Sequence, residues 1–388
     1  MTRLFPPIFF LIFSAAVSLA GAVNLLDGSA ASERRMELLK LKFEKALKKA
    51  RCPYGVLCVA TADGKVYAEP VGIPAEGAEI KKRAQQKSLP LGESSFACVT
   101  FAAVKMEEAG KLDLKWSVPE RFSAFSPQRG MEKHSTFSDM LYMRAGIDNA
   151  KVPPFPDGDW RGLFEVIPQT YPAEGAGTKG VFSPLCAAAV GYALGYENSR
   201  SSKNPKKSFA GFMKKYFFGE VGISQPKYRA FDSALFPAYS VALAPEECAL
   251  WLKAEASAKP GTSIFARRMA PAGSRMGMGW FDIARSGVPA QVFSAFFQGC
   301  ANEIAVFPSK GLAAAAFAVV DSKYLARADS RLRLERQKSA RLACAETVEF
   351  LGSILYEDSH KKEGAREKLS ETKITPTDNP KQDSQNEK

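Results

Sequence analysis

The stretch Gly55-Val-Leu-Cys-Val-Ala-Thr-Ala-Asp-Gly-Lys-Val-Tyr67 decides the reading of this chain. An apolar run, Val56–Thr61, meets Ala62-Asp63-Gly64 and resumes as Lys65–Ala68. An Asp-Gly pair between two short β-prone runs predicts a hairpin. Upstream, Leu39, Phe43, Ala46, Leu47 and Ala50 recur at helical spacing, and lysines 40, 42, 45, 48 and 49 fill the other faces. That amphipathic helix stops at Cys52-Pro53-Tyr54-Gly55. Residues 23–32 before it read as a small, polar lead-in.

Downstream, Phe96–Ala109 predicts a helix closed by Gly110. Further helices are expected at 135–143, 184–196, 207–218 and 245–255. Strands then return: one led by Met276-Gly-Met-Gly-Trp280, then Val292–Phe297, Glu303–Phe307 and Leu312–Val320. Residues 322–355 predict a long helix with Cys344, Val348, Leu351 and Leu355 on one stripe. Consecutive hairpin-type strands imply a largely antiparallel sheet. The fold class is therefore α/β, of the α+β kind. Both chain ends, about 33–92 and 276–356, build one sheet flanked by helices. An all-helical insertion, about 93–275, lies between them in a domain spanning 23–356.

Composition agrees with a packed domain. The chain has 388 residues, 46% hydrophobic and 24% charged, which excludes collagen, coiled coil and wholesale disorder. Two histidines, His134 and His360, exclude a His-rich metal centre. The seven cysteines are scattered, form no CxxC, and read as small buried hydrophobes. Lys+Arg 53 against Asp+Glu 41 gives +12, a balance suited to anionic partners. Met1-Thr-Arg3, an apolar run from Leu4 to Leu19 and Ala20-Gly21-Ala22 have the layout of a secretory signal, residues 1–22. Export to the periplasm or beyond is expected, with no transmembrane anchor left after cleavage. Residues 357–388 are polar and charged, and are expected to be a disordered tail.

The order of elements and four local sequences resemble the serine β-lactamase and penicillin-binding-protein superfamily, in its class C-related branch. The hairpin above is similar to the family's first two strands. Phe101-Ala-Ala-Val-Lys-Met-Glu-Glu-Ala-Gly-Lys-Leu-Asp-Leu114 is similar to the end of the helix that carries the nucleophile. Phe182-Ser-Pro-Leu-Cys-Ala-Ala-Ala-Val-Gly191 has the spacing of the family's Tyr-Ser-Asn segment. Gly277-Met-Gly-Trp280, followed by Ile304-Ala-Val-Phe-Pro308, is similar to its late strands. The resemblance implies a serine hydrolase scaffold needing neither cofactor nor metal.

It also implies where the catalytic groups should stand, and those positions are altered. The family needs Ser-x-x-Lys at a helix start, so that the lysine amine can take the serine proton. Counted back from Gly110, the serine position falls on Glu93 and the lysine position on Phe96. Shifting the register gives Ser94 with Ala97, or Ser95 with Cys98, and again no lysine. The tyrosine and asparagine positions hold Phe182 and Pro184, which can neither relay a proton nor hold a substrate amide. The strand cation matches Phe296-Phe297-Gln298-Gly299, with Phe297 in the basic position. The segment often reading Leu-Leu-Thr-His-Thr-Ser-Gly is Met140-Leu-Tyr-Met-Arg-Ala-Gly146, with Met143 for histidine. Ser-x-x-Lys elsewhere, at Ser224–Lys227, Ser359–Lys362 and Ser370–Lys373, opens no apolar helix.

Two readings follow. In the first, the chain is an exported, catalytically inactive relative that binds an anionic cell-wall or surface polymer, and not nucleic acid. Glu93 then steadies a helix N-terminus, Ser94 and Ser95 cap it, and Phe96, Phe182, Phe296 and Phe297 fill the old cleft. In the second, Ser94, Ser95, Cys98 or Cys186 is a nucleophile with an unconventional base, His134 being the one histidine in the body. Basic runs at Lys203, Lys206, Lys207, Lys214 and Lys215, and at Arg327, Arg331, Arg333, Arg336, Lys338 and Arg341, are solvated faces or polymer contacts.

Overall fold

The computed structural model describes residues 25–73, 77–127, 130–147, 159–170, 176–201, 203–229 and 232–371. The expected signal segment, 1–22, lies outside them, as does the end of the chain from residue 372. Helix α1 (Ala30–Lys49) starts on Ser29, whose hydroxyl accepts from the Ser32 amide, and buries Met36, Leu39, Phe43, Ala46 and Leu47. The hairpin follows as β1 (Tyr54–Thr61) and β2 (Val66–Val71), with Gly64 at φ +92° in the turn. Gly55 is required where it stands. A Cβ there would lie 2.6 Å from the Phe43 ring and 2.7 Å from the Phe317 carbonyl oxygen.

After helix α2 (Ala78–Gln86) and the short β3 (Leu89–Pro90) comes helix α3 (Ser95–Glu108), closed by Gly110 at φ +65°. The insertion is mainly helical, and its chief helices are Pro184–Ser199, Pro205–Met213 and Pro245–Ser257. It also holds β4 (Lys227–Tyr228) and β5 (Val241–Leu243), which with β3 make a three-stranded sheet in the order β3-β5-β4. These strands are two or three residues long, too short for an alternating pattern to mark them in the sequence.

Five more strands complete the main sheet: β6 (Met276–Gly277), β7 (Trp280–Asp282), β8 (Gln291–Phe297), β9 (Cys300–Phe307) and β10 (Leu312–Val319). The order is β2-β1-β10-β9-β8-β7-β6, antiparallel throughout. The first hairpin and the late strands thus join where β1 meets β10, from Tyr54↔Val319 to Thr61↔Leu312.

Both faces of this sheet are covered, so β1, β9 and β10 are buried along nearly their whole length. Val56, Cys58, Ala60, Phe317 and Ile304 face the helical insertion. Leu57, Val59, Ala314, Ala316 and Ala318 face α1 and the last helix. The alanines of β10 let helices approach the sheet closely from either side. The C-terminal helical region breaks once, into Ser322–Arg327 and Ser330–Glu371. The second helix runs on into the polar segment that the composition assigns to a disordered tail. Residues 357–371 are rich in Glu and Lys, which favour helix, and Pro376 comes only later.

Candidate active site

From β3 the chain passes through one 3₁₀ turn, Gly92–Ser94, directly into α3. Gly92 has φ +59°, and a Cβ on it would lie 2.6 Å from the Phe297 Cβ. This contact presses the turn against the end of β8 and fixes where Glu93, Ser94 and Ser95 emerge.

Neither serine caps the helix, contrary to expectation. The Ser94 hydroxyl donates to Asn302 Oδ1 at 2.8 Å, and Asn302 Nδ2 donates to the Leu91 carbonyl at 3.0 Å. The Ser95 hydroxyl accepts from the Val241 amide at 3.1 Å. All three side chains are fully buried. They tie the start of α3 to β9 and β5 because buried polar groups must find partners. The partner of Ser94 is an amide oxygen, which cannot take up a proton at neutral pH. Both fallback nucleophiles are buried, and among the described residues neither has a base as a partner. Asn302 gave no signal in the sequence, since the apolar pattern starts the strand only at Glu303 whereas β9 begins at Cys300.

Glu93 is mostly buried, and its Oε2 finds no hydrogen-bond partner among the described residues. Burial raises its pKa, while its own amide, the Arg341 guanidinium and the Phe296 amide act in the opposite direction. Strand β7 covers β8 only as far as Phe281↔Val292, so the backbone of Ser294–Phe297 continues past it along an open edge. Arg341 Nη2 donates to the Ser294 carbonyl at 3.0 Å, and Glu93 faces the Phe296 amide. Two charged side chains therefore close that edge.

Phe96, in the lysine position, is fully buried, and its ring lies 6.0 Å from that of Phe182 at 64°. Phe182, in the tyrosine position, meets Phe293 at 5.3 Å and 86°. Phe293 in turn meets Phe281 at 5.6 Å. Edge-to-face contacts of this kind add about 0.5–1.5 kcal/mol each beyond area burial. The strand residue facing the tyrosine position is thus Phe293, not Phe297 as the sequence register proposed. Phe297 stacks on Tyr239, centroids 5.2 Å apart and planes at 11°. Phe296 does not line the cleft either: its side chain packs in the cluster between the sheet and the last helix. Alternation along β8 explains both corrections, since Phe293 and Phe297 share one face and Phe296 takes the other.

Ser183 caps the Pro184–Ser199 helix through the Cys186 amide at 3.1 Å, and Pro184 occupies its first turn. Met143, in the histidine position, is buried at φ +56°, and its carbonyl accepts from Val181 at 3.2 Å, holding the segment before Phe182. The Cys98 and Cys186 thiols are buried, which raises the pKa of each and suppresses the reactive thiolate. The His134 ring packs against Gly177, where a Cβ would lie 2.5 Å from its Cε1. Ser224 is exposed in a bend and Lys227 is exposed at the start of β4, neither on a helix. The side chains of Ser359, Lys362 and Ser370 fall outside the description, and so does Lys373.

Behind α3 lies an ionic cluster that gave no signal in the sequence. Glu255 pairs with Arg267 and, at 3.0 Å, with Arg268, all three fully buried. Arg267 also donates to Thr100 Oγ1 at 2.8 Å, anchoring α3 to the Ser263–Arg268 helix. The basic run on the last helix is partly engaged. Arg333, Arg336 and Arg341 donate to the carbonyls of Ala328, Ala50 and Ser294. Lys203, Lys207, Lys214 and Lys215 remain exposed on the insertion.

No protein-family model matches the chain, and no curated protein matches its sequence. Solved structures share its fold. SurE superposes with a TM-score of 0.61 at 13% identity, over 85% of this chain and 77% of that one. The β-lactamase/D-alanine carboxypeptidase from Yersinia pestis, complexed with citrate, gives 0.58 at 12%, over 81% and 99%. A class C β-lactamase in complex with cefoxitin gives 0.59 at 14%, over 81% and 98%. The fold is that of serine β-lactamases and penicillin-binding proteins.

Proposed function

We propose that this chain is a non-hydrolytic protein on a serine-hydrolase scaffold, exported and acting as a binding or scaffold module at the cell envelope. The carrying observation is the contact chain Phe96–Phe182–Phe293, set where the scaffold's hydrolases hold proton-handling groups. None of the three rings can accept, relay or donate a proton. Catalytic groups of this kind act as a unit, and losing a serine nucleophile or its base costs about 10⁶ in turnover. Arg341 and Glu93 also engage the Ser294 carbonyl and the Phe296 amide on the strand edge beside the site, two groups an extended substrate would pair with.

The ligand class that suits the charge is an anionic envelope polymer. The excess of +12 supports this. So do the exposed lysines 203, 207, 214 and 215 on the insertion. Such contacts are screened by salt, over about 10 Å at 0.1 M ionic strength. The test has two arms. The purified protein should turn over neither a chromogenic cephalosporin, a D-Ala-D-Ala peptide nor a nitrophenyl ester. It should be retained on purified cell-wall sacculi at low salt and released at high salt. Saturable turnover of any of the three substrates overturns the non-hydrolytic reading. Absence of retention overturns the polymer.

A further inference from the structure

We infer that the outer face of α1, with the adjoining part of the Ser330–Glu371 helix, is a docking surface for an anionic lipid bilayer. Helix α1 buries Met36, Leu39, Phe43, Ala46 and Leu47 on one side. On the opposite side Arg34, Leu38, Leu41, Lys45 and Lys48 recur every three or four residues and so share one face. All five are exposed, Leu38 by 47% and Leu41 by 49%. The helix carries seven basic residues against three acidic ones. The Ser330–Glu371 helix runs antiparallel beside it, since Arg35 meets Asp358 and Lys49 meets Glu346. It adds Leu342, exposed by 51%, and the exposed Lys338 one turn earlier. Between the two helices lies a groove of about 330 Å³, with Leu38, Phe350 and Ile354 as apolar lining and Arg34 and Arg35 as cations. Its acids are Glu357 and Asp358, the latter held by Arg35.

A single leucine on a surface is ordinary. Here three stand among cations on two adjacent helices, and the two residue types together specify the partner. An anionic polymer would engage the lysines and leave the leucines in water. An uncharged apolar surface would leave the lysines without a counter-charge. A bilayer with anionic headgroups satisfies both. Arg34, Lys45, Lys48 and Lys338 meet the phosphates, while Leu38, Leu41 and Leu342 enter the boundary between headgroups and acyl chains. Lysine side chains suit this level, because their methylenes lie along apolar surface while the ammonium stays at the phosphates. The attachment is peripheral, since no helix among the described residues is long and apolar enough to cross a membrane. Helix α1 and the insertion cover opposite faces of the main sheet. This surface is therefore separate from lysines 203, 207, 214 and 215, and the inference does not rest on the proposed function.

The purified protein is floated with phosphatidylcholine vesicles made with and without phosphatidylglycerol. It lacks residues 1–22, whose apolar run would itself enter a bilayer. Partition to the anionic vesicles should exceed that to the neutral ones by at least about tenfold at low salt. Lys45→Glu/Lys48→Glu should lower it by about tenfold or more. Leu38→Asn/Leu41→Asn should lower it by about tenfold and abolish the part that survives high salt. All four residues are exposed, so melting temperatures should hold. Lys207→Glu/Lys215→Glu, the same change of charge on the insertion, should leave partition unchanged. Equal partition to both vesicles, or none, overturns the inference. So does an equal loss from the two charge-reversal variants, which describes a diffuse field and not a face. A dimer in sedimentation velocity that the leucine variant dissolves, without vesicle binding by the wild type, also overturns it and assigns the face to a second copy of the chain.

Discussion

Replacing Phe96 asks whether the old catalytic floor is a core or a cleft. The ring is fully buried and meets Phe182 edge-on. An aromatic side chain hides about 150–200 Å², worth about 4–5 kcal/mol at ~25 cal/mol per Å². Measured Phe→Ala changes in cores cost about 3–5 kcal/mol, and Phe96→Ala should fall in that range. Phe96→Lys restores the residue type the scaffold's hydrolases carry there. It loses the same packing and also buries an ammonium among phenyl rings, which lowers the lysine pKa. The lysine variant should be less stable than the alanine variant by about 1 kcal/mol or more at neutral pH. Guanidinium unfolding followed by far-UV circular dichroism reads both differences from midpoint and slope. A cost below about 1 kcal/mol for Phe96→Ala would refute the packing argument. So would a lysine variant as stable as the alanine one, because both results describe a wet, open site.

Asn302→Ala leaves the Leu91 carbonyl and the Ser94 hydroxyl buried without their partner, and should cost about 2–4 kcal/mol in the same assay. Adding Ser94→Ala should then cost less than it does alone, and strict additivity contradicts the network. The raised pKa of Glu93 means the folded state holds its proton more tightly than the unfolded state. Its contribution is therefore fully present below the unfolded value of 4.5 and is lost as pH rises through the folded value. Glu93→Gln should remove this loss, gaining on wild type between pH 4 and pH 8 in paired unfolding curves; a gap that narrows with pH contradicts the sign. Glu255→Gln leaves Arg267 and Arg268 buried without a counter-charge and should destabilise by about 3–5 kcal/mol, read by thermal melting. An unchanged melting temperature would mean water reaches both guanidinium groups.

The hairpin was legible because Ala62-Asp63-Gly64 carries its own turn chemistry and Val56–Thr61 its own strand pattern. The amphipathic stripe of α1 was legible for the same local reason. Glu93, Phe96 and Phe182 could be placed by counting from glycines that the fold needs, and the structure brings Phe96 and Phe182 into contact. Phe293 was missed because the register was read from Phe296-Phe297-Gln298-Gly299, which runs into the tight turn between β8 and β9, and not from the strand residue that meets Phe182. Two-fold alternation along the strand puts Phe296 on the face opposite Phe293 and Phe297, so Phe296 and Phe297 cannot both line the cleft. Asn302, Glu255, Arg267 and Arg268 were invisible for another reason. Their partners lie on other elements, and a polar residue in an apolar run carries no sign of which distant group will satisfy it. Ser94 and Ser95 looked like caps because serine caps well. Tertiary partners at β9 and β5 claimed their hydroxyls instead.

The central proposal is that neither Ser94 nor Ser95 forms an acyl-serine. Intact-mass spectrometry of the full chain after incubation with a fluorophosphonate, and separately with a penicillin, tests it most directly. The account predicts an unmodified mass with both reagents. A stoichiometric adduct mapped to Ser94 or Ser95 would contradict it.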